Sequence, residues 1–388
     1  MTGSNKEHRN RANELPVSVQ LGGAELAAAS DTQGLTIASP GTLRAVAPPP
    51  RYAPNSAFHR DVKARVDAML RANGQTERDV PAMYAKSAII VLWWAASWSL
   101  LMFATSTLWL ACLLSVSLGL AIGGIGMAVM HDANHAGYSR HGWRNRAIGW
   151  TLDAMGASSL IWRTKHNAIH HTWTNLSGQD DDLNMGFLAR LEINQPRWPW
   201  HRFQHFYVWF LYGFLLPKWA FIDDFVNLAS GRVGHHKLAK PDRVQWLVFV
   251  GGKVFFVAWA LALPLLLHPA SHVALCFFLA TFTTGLTLAT TFQLAHCVEE
   301  AEFPVTPADG RLSTDWAVHQ LATTVDFAPG NRPLTWLVGG LNFQVEHHLF
   351  PHVCHLHYAK LAPIVENLCA KFGLRYASNR TFLGGVAS

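Results

Sequence analysis

The stretch AIIVLWWAASWSLLMFATSTLWLACLLSVSLGLAIGGIGMAVM, residues 88–130, carries no charged side chain and ends directly on HDANH, residues 131–135. Its clearest polar break is Thr105-Ser106-Thr107. Each side of that break is close to the roughly 20 apolar residues needed to cross a bilayer core. The pattern predicts two membrane helices in a tight hairpin, about 88–105 and 108–130. Lys and Arg are absent from Lys86 to Arg140, and again from Lys253 to Arg311. Within the second gap, residues 245–295 break at His268-Pro269-Ala270-Ser271, which predicts a second hairpin over about 245–267 and 272–295.

Composition agrees with this reading. The 388 residues are 50% hydrophobic and 14% charged, against roughly 25% charged in an average soluble domain. That excludes an ordinary soluble enzyme, and the hydrophobic content excludes a disordered chain. The 16 Trp and 22 Phe suit interfacial anchoring. Five Cys, at 112, 276, 297, 354 and 369, form no Cys-x-x-Cys pair and exclude a four-Cys zinc site or a self-contained iron–sulfur motif. Residues 1–86 hold 11 Lys and Arg, residues 131–243 hold 13, and the two tight turns hold none. By the positive-inside rule, both termini and the 131–243 region face the cytoplasm. The net charge of +6 then follows from topology and attraction to anionic membrane lipids, and needs no nucleic acid.

Residues 1–57 read as a flexible tail without a signal sequence, and 58–388 as one membrane domain. From Phe58, apolar Val62, Val66, Met69 and Leu70 recur at helical spacing among Arg60, Lys63, Arg65 and Arg71. That spacing predicts an amphipathic helix lying on the membrane surface or packed on the cytosolic part of the protein. The aromatic segment Phe203–Phe221 is expected to be interfacial or half-inserted. A fifth crossing there would separate the clusters described next.

The 21 His are unevenly placed. Three clusters stand out: His131-x-x-x-His135, His166-x-x-x-His170-His171, and Gln344-Val-Glu-His347-His348. Residues four apart share a helix face, so each spaced pair can address one metal. The adjacent His of a doublet lies about 100° round the helix and reaches a second metal. His131 follows the second predicted span, and His347 and His348 lie beyond the fourth, so all three clusters fall on one membrane face. His296 sits where the fourth span leaves the bilayer and is placed to add a ligand. Isolated His residues, among them His141, His201, His205, His235, His236, His268 and His272, are expected to be structural, as are His352, His355 and His357. Imidazole suits Zn, Cu, Fe and Ni. The donors outnumber what one catalytic zinc takes. A His-rich two-metal site at a membrane surface fits iron best, activating oxygen beside an acyl chain that offers no polar handle.

With these residues in hand, the sequence over about Met83–Tyr376 resembles the integral-membrane fatty acid desaturases. The three boxes carry the resemblance, the third as Asn342-Phe-Gln344-Val-Glu-His347-His348-Leu-Phe-Pro351. Thr172-Trp-Thr-Asn175, Gly178-Gln-Asp-Asp-Asp182 and Trp316-Ala-Val-His-Gln320 flank them. The resemblance implies an all-α membrane protein with four transmembrane helices in two hairpins. A cytosolic helical cap would hold a di-iron centre that uses oxygen and two electrons to place a double bond in an acyl chain. It implies His131, His135, His166, His170, His171, His296, His347 and His348 as ligands. Gln344 stands where many relatives have the first His of the third box, as in front-end and bacterial acyl-CoA relatives, and would ligate weakly or hold a water. Asp132, Asp180, Asp182 and Glu346 are expected to orient ligands, or otherwise to be solvated loop acids or helix caps. The substrate would be an acyl-CoA or acyl-lipid. With no fused haem, flavin or iron–sulfur motif in the sequence, electrons would come from a separate donor, such as a ferredoxin or a b-type cytochrome with its reductase. Arg140, Arg144, Arg146, Arg163 and Lys165 would steer an acidic donor or simply mark the cytoplasmic side. Two other readings remain open: a hydroxylase of fatty acyl chains or sphingolipids on the same scaffold, and a membrane metal-handling protein.

Overall fold

The computed structural model describes residues 49–388. Most of the expected flexible tail, residues 1–48, lies outside the described residues. Its last residues, 49–57, are described and are tied to distant loops. Arg51 N–H donates to Gly310 O at 2.9 Å, Ala53 N–H to Thr314 O at 3.1 Å, and Tyr52 Oη–H to Thr172 O at 2.6 Å. These bonds fix the segment before residue 57 on loops that no local pattern reveals.

The described chain is mostly helical, with two short two-stranded sheets. Four helices are long and apolar enough to cross a membrane: α2 (Pro81–Phe103), α3 (Leu108–Asn134), α6 (Arg243–Leu267) and α7 (Ala270–His296). Two of them extend well past the expected spans. Lys86 falls inside α2, because its ammonium is buried against the His355 imidazole at 2.8 Å and over the Trp336 ring. A partnered Lys does not end a helix, and Pro81 starts this one at a position where its missing N–H costs nothing. α3 continues through the expected boundary at 130 and carries the first His box on its last turn. α6 begins on Asp242, whose side chain takes the Gln245 N–H while Gln245 reciprocates. Its π-helical turn Ala258–Ala262 precedes Pro264. The wider turn accommodates a residue that would otherwise clash with the preceding carbonyl.

α3 packs on both α2 and α7. Gly119 sets the α3–α7 distance: a Cβ there would lie 2.5 Å from the Ala280 carbonyl oxygen. Thr284 Oγ1 in turn donates to Gly119 O at 2.9 Å. Small residues and a hydroxyl at a close crossing are what membrane helices use where lipid removes the hydrophobic drive. The outward faces stay apolar and uncovered, with Leu92 67% and Leu266 78% exposed.

The remaining elements gather at the box end of these helices. α1 (Ala57–Ala72) buries Phe58, Val62, Val66 and Leu70. Phe58 and Val62 pack with Ala317, Leu321, Val345, Leu349 and Val365. Of the two readings of this helix, the structure shows the one packed on the protein. α4 (Ser159–Trp162) runs into a π-helical turn, Arg163–His170. The expected half-inserted segment is α5 (Gln204–Tyr212) followed by an unbroken helical run over residues 215–230, neither of span length. α5 lies against α7, where Gly285 meets the Tyr212 carbonyl. α8 (Trp316–Thr323), α9 (Gln344–Leu349) and α10 (Tyr358–Phe372) supply the residues that share a core with Phe58 and Val62.

Candidate metal centre

Four elements deliver the histidines. His131 lies at the end of α3, directly after the π-helical turn Ile125–Met130, and His135 caps that helix. His166 and His170 lie on the π turn after α4, and His171 closes it with its N–H on His166 O at 3.0 Å. This is i→i+5 bonding, not the α-helical geometry expected for the second box. His296 is the last residue of α7. His347 and His348 sit within α9, whose first residue is Gln344.

The structure brings all eight together. Ligand atoms of His131, His135, His166 and His347 lie within 4.8 Å of one another, as do those of His170, His296 and His348. A third group, His171, His347 and His348, joins the first two. All eight are buried. Nε2 of His135, His166, His170 and His348, and Nδ1 of His171, have no hydrogen-bond partner. His171 Nε2 and His347 Nε2 face each other at 3.0 Å. Buried polar atoms are nearly always satisfied. So many orphaned imidazole nitrogens converging on one place fit metal cations, and the donor set is one that first-row transition metals favour.

The outward nitrogens explain why the inward ones are free. His170 Nδ1–H donates to Asp180 Oδ2 at 2.8 Å, and that oxygen also takes the Asn175 N–H at 3.0 Å. His166 Nδ1 lies 3.5 Å from Asp182, which also pairs with Lys165 at 3.2 Å. His348 Nδ1 meets Gln320 Oε1 at 2.7 Å, His296 Nδ1 meets Thr323 O at 3.3 Å, and His347 Nδ1 meets Tyr358 Oη at 3.2 Å. Such partners fix the tautomer and leave the other nitrogen for a metal. Burial, then neighbouring imidazoles, hold His135, His171, His347 and His348 well below the usual range, so they are neutral donors. At His170 burial opposes charge, but the Asp180 carboxylate outweighs it and raises the pKa.

Two expected orienting acids face elsewhere. Asp132 Oδ2 takes both the backbone N–H and Nδ1–H of His355, at 3.1 and 2.8 Å. The helix turns it away from His131, its neighbour in sequence. Glu346 takes the Tyr376 hydroxyl at 3.1 Å, and Tyr376 also donates to Asp326 at 2.6 Å. Desolvation, then Asp326, raises Glu346 well above the carboxylate range. Gln344 Nε2 lies 2.8 Å from His296 Nε2, while its Oε1 is buried without a partner.

Gln320, Thr323, Tyr358 and Asn175 were not singled out as site residues from sequence. Asn175 holds a positive φ of 54° and donates through Nδ2 to His296 O, Glu302 O and Thr323 O. Gln320 and Asn175 stand in the flanking blocks already noted, which was the available signal.

A cavity of about 750 Å³ opens beside His131, His166 and Gln344. Charged Lys165, Asp181, Lys218 and Asp223 line one part of it; Ile122, Met127, Leu152 and Met155 line another.

Membrane-length helices under a buried, histidine-lined metal centre beside an apolar cavity define an integral-membrane metalloenzyme class. Residues 107–380 match the family described as fatty acid desaturase. The chain is 38% identical to the sn-1 linoleoyl-lipid 6-desaturase of Arthrospira platensis, over 87% of this chain and 92% of that protein. It is 36% identical to the protein of the same name from Synechocystis sp., over 87% and 95%. To the acyl-lipid (8-3)-desaturase of Physcomitrium patens it is 35% identical, over 85% and 69%. The chain belongs to the fatty acid desaturase family.

Proposed function

We propose that this enzyme is an acyl-lipid desaturase whose eight histidines hold two iron ions. The observation that carries the reading is the set of orphaned imidazole nitrogens facing one another beside a long, partly apolar cavity. Their distances support one metal near His131, His135, His166 and His347 and a second near His170, His296 and His348, with His171 between. When bound, the iron pair would supply oxygen activation. The overall change is R–CH2–CH2–R′ + O2 + 2e⁻ + 2H⁺ giving R–CH=CH–R′ + 2H2O.

The chain's own residues do the rest. Asp180 and Asp182 orient two imidazoles, and Gln320 and Tyr358 orient two more. The apolar part of the cavity excludes water and aligns the methylenes. Near the polar part, Lys165 pairs with Asp181 and Asp182, and Lys218 pairs with Asp223. Cations already spent on acids leave little for the phosphates of CoA, which favours a neutral or zwitterionic lipid headgroup. The relatives' printed names, which specify lipid-linked chains, support the same choice. Electrons come from a separate donor protein, and the centre and both termini face the cytoplasm.

The test is expression in a host lacking polyunsaturated lipids, with mass spectrometry of lipid and CoA pools and iron counted per purified chain. A new double bond in lipid and two irons per chain are expected. An added hydroxyl without a double bond, or no product beside a metal other than iron, overturns the reading.

A further inference from the structure

The second box ends where its π turn ends, and the carbonyls that follow have no further helical turn to take them. Of those from His170 to Thr174, one goes to the backbone, Trp173 O with the Leu176 N–H at 3.0 Å. Side chains take the other four. Thr174 Oγ1–H donates to His170 O at 2.7 Å, and Trp316 Nε1–H to His171 O at 2.9 Å. Tyr52 Oη–H donates to Thr172 O at 2.6 Å, and His319 Nε2–H to Thr174 O at 2.8 Å. Trp316 and His319 belong to α8. Tyr52 comes from 120 residues earlier in the chain. Its segment is a strap laid across the box and α8. Arg51 N–H bonds Gly310 O, and Arg51 O takes the Leu312 N–H, each at 2.9 Å. Pro50 O takes the Trp173 Nε1–H at 3.4 Å. Ser56 N–H donates to Asp315, whose other carboxylate oxygen caps α8 through the Val318 N–H at 2.8 Å.

Resting on the two-metal reading, we propose that Tyr52 is a positioning residue for the metal near His170, His296 and His348, acting through the backbone that carries His170 and His171. It touches neither metal nor substrate. Asp180 orients the His170 ring, and Tyr52 fixes the chain from which that ring projects. The Tyr52 ring also sets its edge on His319, with centroids 5.2 Å apart. One side chain therefore holds one of the four carbonyls directly and steadies the donor to another. Burial, joined by the Asp180 charge, pushes the Tyr52 phenol up, so it keeps the proton it donates. The first box receives no bond from the strap, so the effect falls on one metal of the pair.

The experiment uses the purified full chain in detergent, loaded with ferrous iron and titrated with a chelator. Tyr52→Phe removes only the hydroxyl and leaves a ring against His319. One iron should then leave at a chelator concentration about tenfold lower than in wild type, the low end of the loss when an outer partner of a ligand is removed. The other should leave at the wild-type concentration. Hydrogen exchange measured without chelator should be faster at the amides of residues 171–176 and unchanged in the first box. Leu118→Ala supplies the control for lost stability, since Leu118 is buried in α3 well before the first box. It should lower the unfolding temperature more than Tyr52→Phe does and move neither readout. Wild-type values for Tyr52→Phe in either readout, or equal shifts in Leu118→Ala, would overturn the positioning role while leaving the metal centre intact. A wild type that retains no iron overturns the two-metal reading and the positioning role with it.

Discussion

Single side chains separate two kinds of acid beside the histidine boxes. Asp180 is buried with its carboxylate on His170 Nδ1, whereas the buried Asp132 carboxylate holds His355. Both sit in the motifs, and sequence alone treats them alike; only the turn of the backbone distinguishes them. Asp180→Asn should weaken metal affinity by about 10- to 100-fold, the usual effect of an orienting partner. Asp132→Asn should leave metal affinity near wild type and cost stability of about 1–3 kcal/mol from a damaged buried bond. Chelator competition and thermal unfolding on the two variants check this; equal metal loss in both would remove the distinction. Gln344 raises a different question. Its amide nitrogen lies on His296 and its oxygen is orphaned next to the cavity. A neutral amide is a poorer iron donor than imidazole, so on the two-iron proposal Gln344 would tune one metal without retaining it. Gln344→Ala is expected to keep most of its iron and lose most of its turnover, and Gln344→His to keep both irons. Full turnover in the Ala variant, measured with iron per chain, would remove Gln344 from the site.

At the scale of elements, hydropathy located the four long helices because lipid excludes charge along a whole span. It misplaced two boundaries because Lys86 and the first box are buried among partners and continue their helices. The three boxes were legible through their spacing. The π turns at 125–130 and 163–170 were not, since i→i+5 bonding leaves no mark in a four-residue repeat. Contacts between distant segments, such as Gln320 with His348, are likewise invisible to local periodicity. The short helix Thr151–Ala154 illustrates a cost set by such contacts. Burial, joined by the nearby Asp224 charge and opposed by bonds from Ser159, raises Asp153 from 3.8 to about 7. A carboxyl raised on folding stabilises the protein fully below about pH 4, and that contribution is lost as pH rises through 7. Asp153→Asn should therefore flatten the decline between about pH 4 and 7 and add about 1–3 kcal/mol at pH 8. Unfolding temperatures across that range, in one detergent, measure it; an unchanged slope would mean the carboxyl ionises without penalty.

For the whole molecule, a shared metal centre would require every histidine box to reach one compartment, and the distribution of charge predicts which. The first two boxes lie between the body of α3 and α6, and the third follows α7, so if all four long helices cross, an even number of crossings separates them. The segment from residue 203 to 221 is the one place where an extra crossing would break this. It contains α5 and the start of the helical run 215–230, both of which pack on α7 and neither of which has the length to span. Lys and Arg crowd the 131–243 region and are absent from the turns at 104–107 and 268–269. The cytoplasmic face attracts such charge. Reporter tags after Gly234 and at both termini should accordingly be cytoplasmic, and a tag at Pro269 should lie on the opposite side. Protease protection of sealed vesicles reads all four. An external tag after Gly234 with cytoplasmic termini would require residues 203–221 to cross, leaving His166 and His347 on different sides of the bilayer. Their rings stand 6.2 Å apart, which allows no such separation. That single outcome would therefore overturn the arrangement of the metal centre together with the topology.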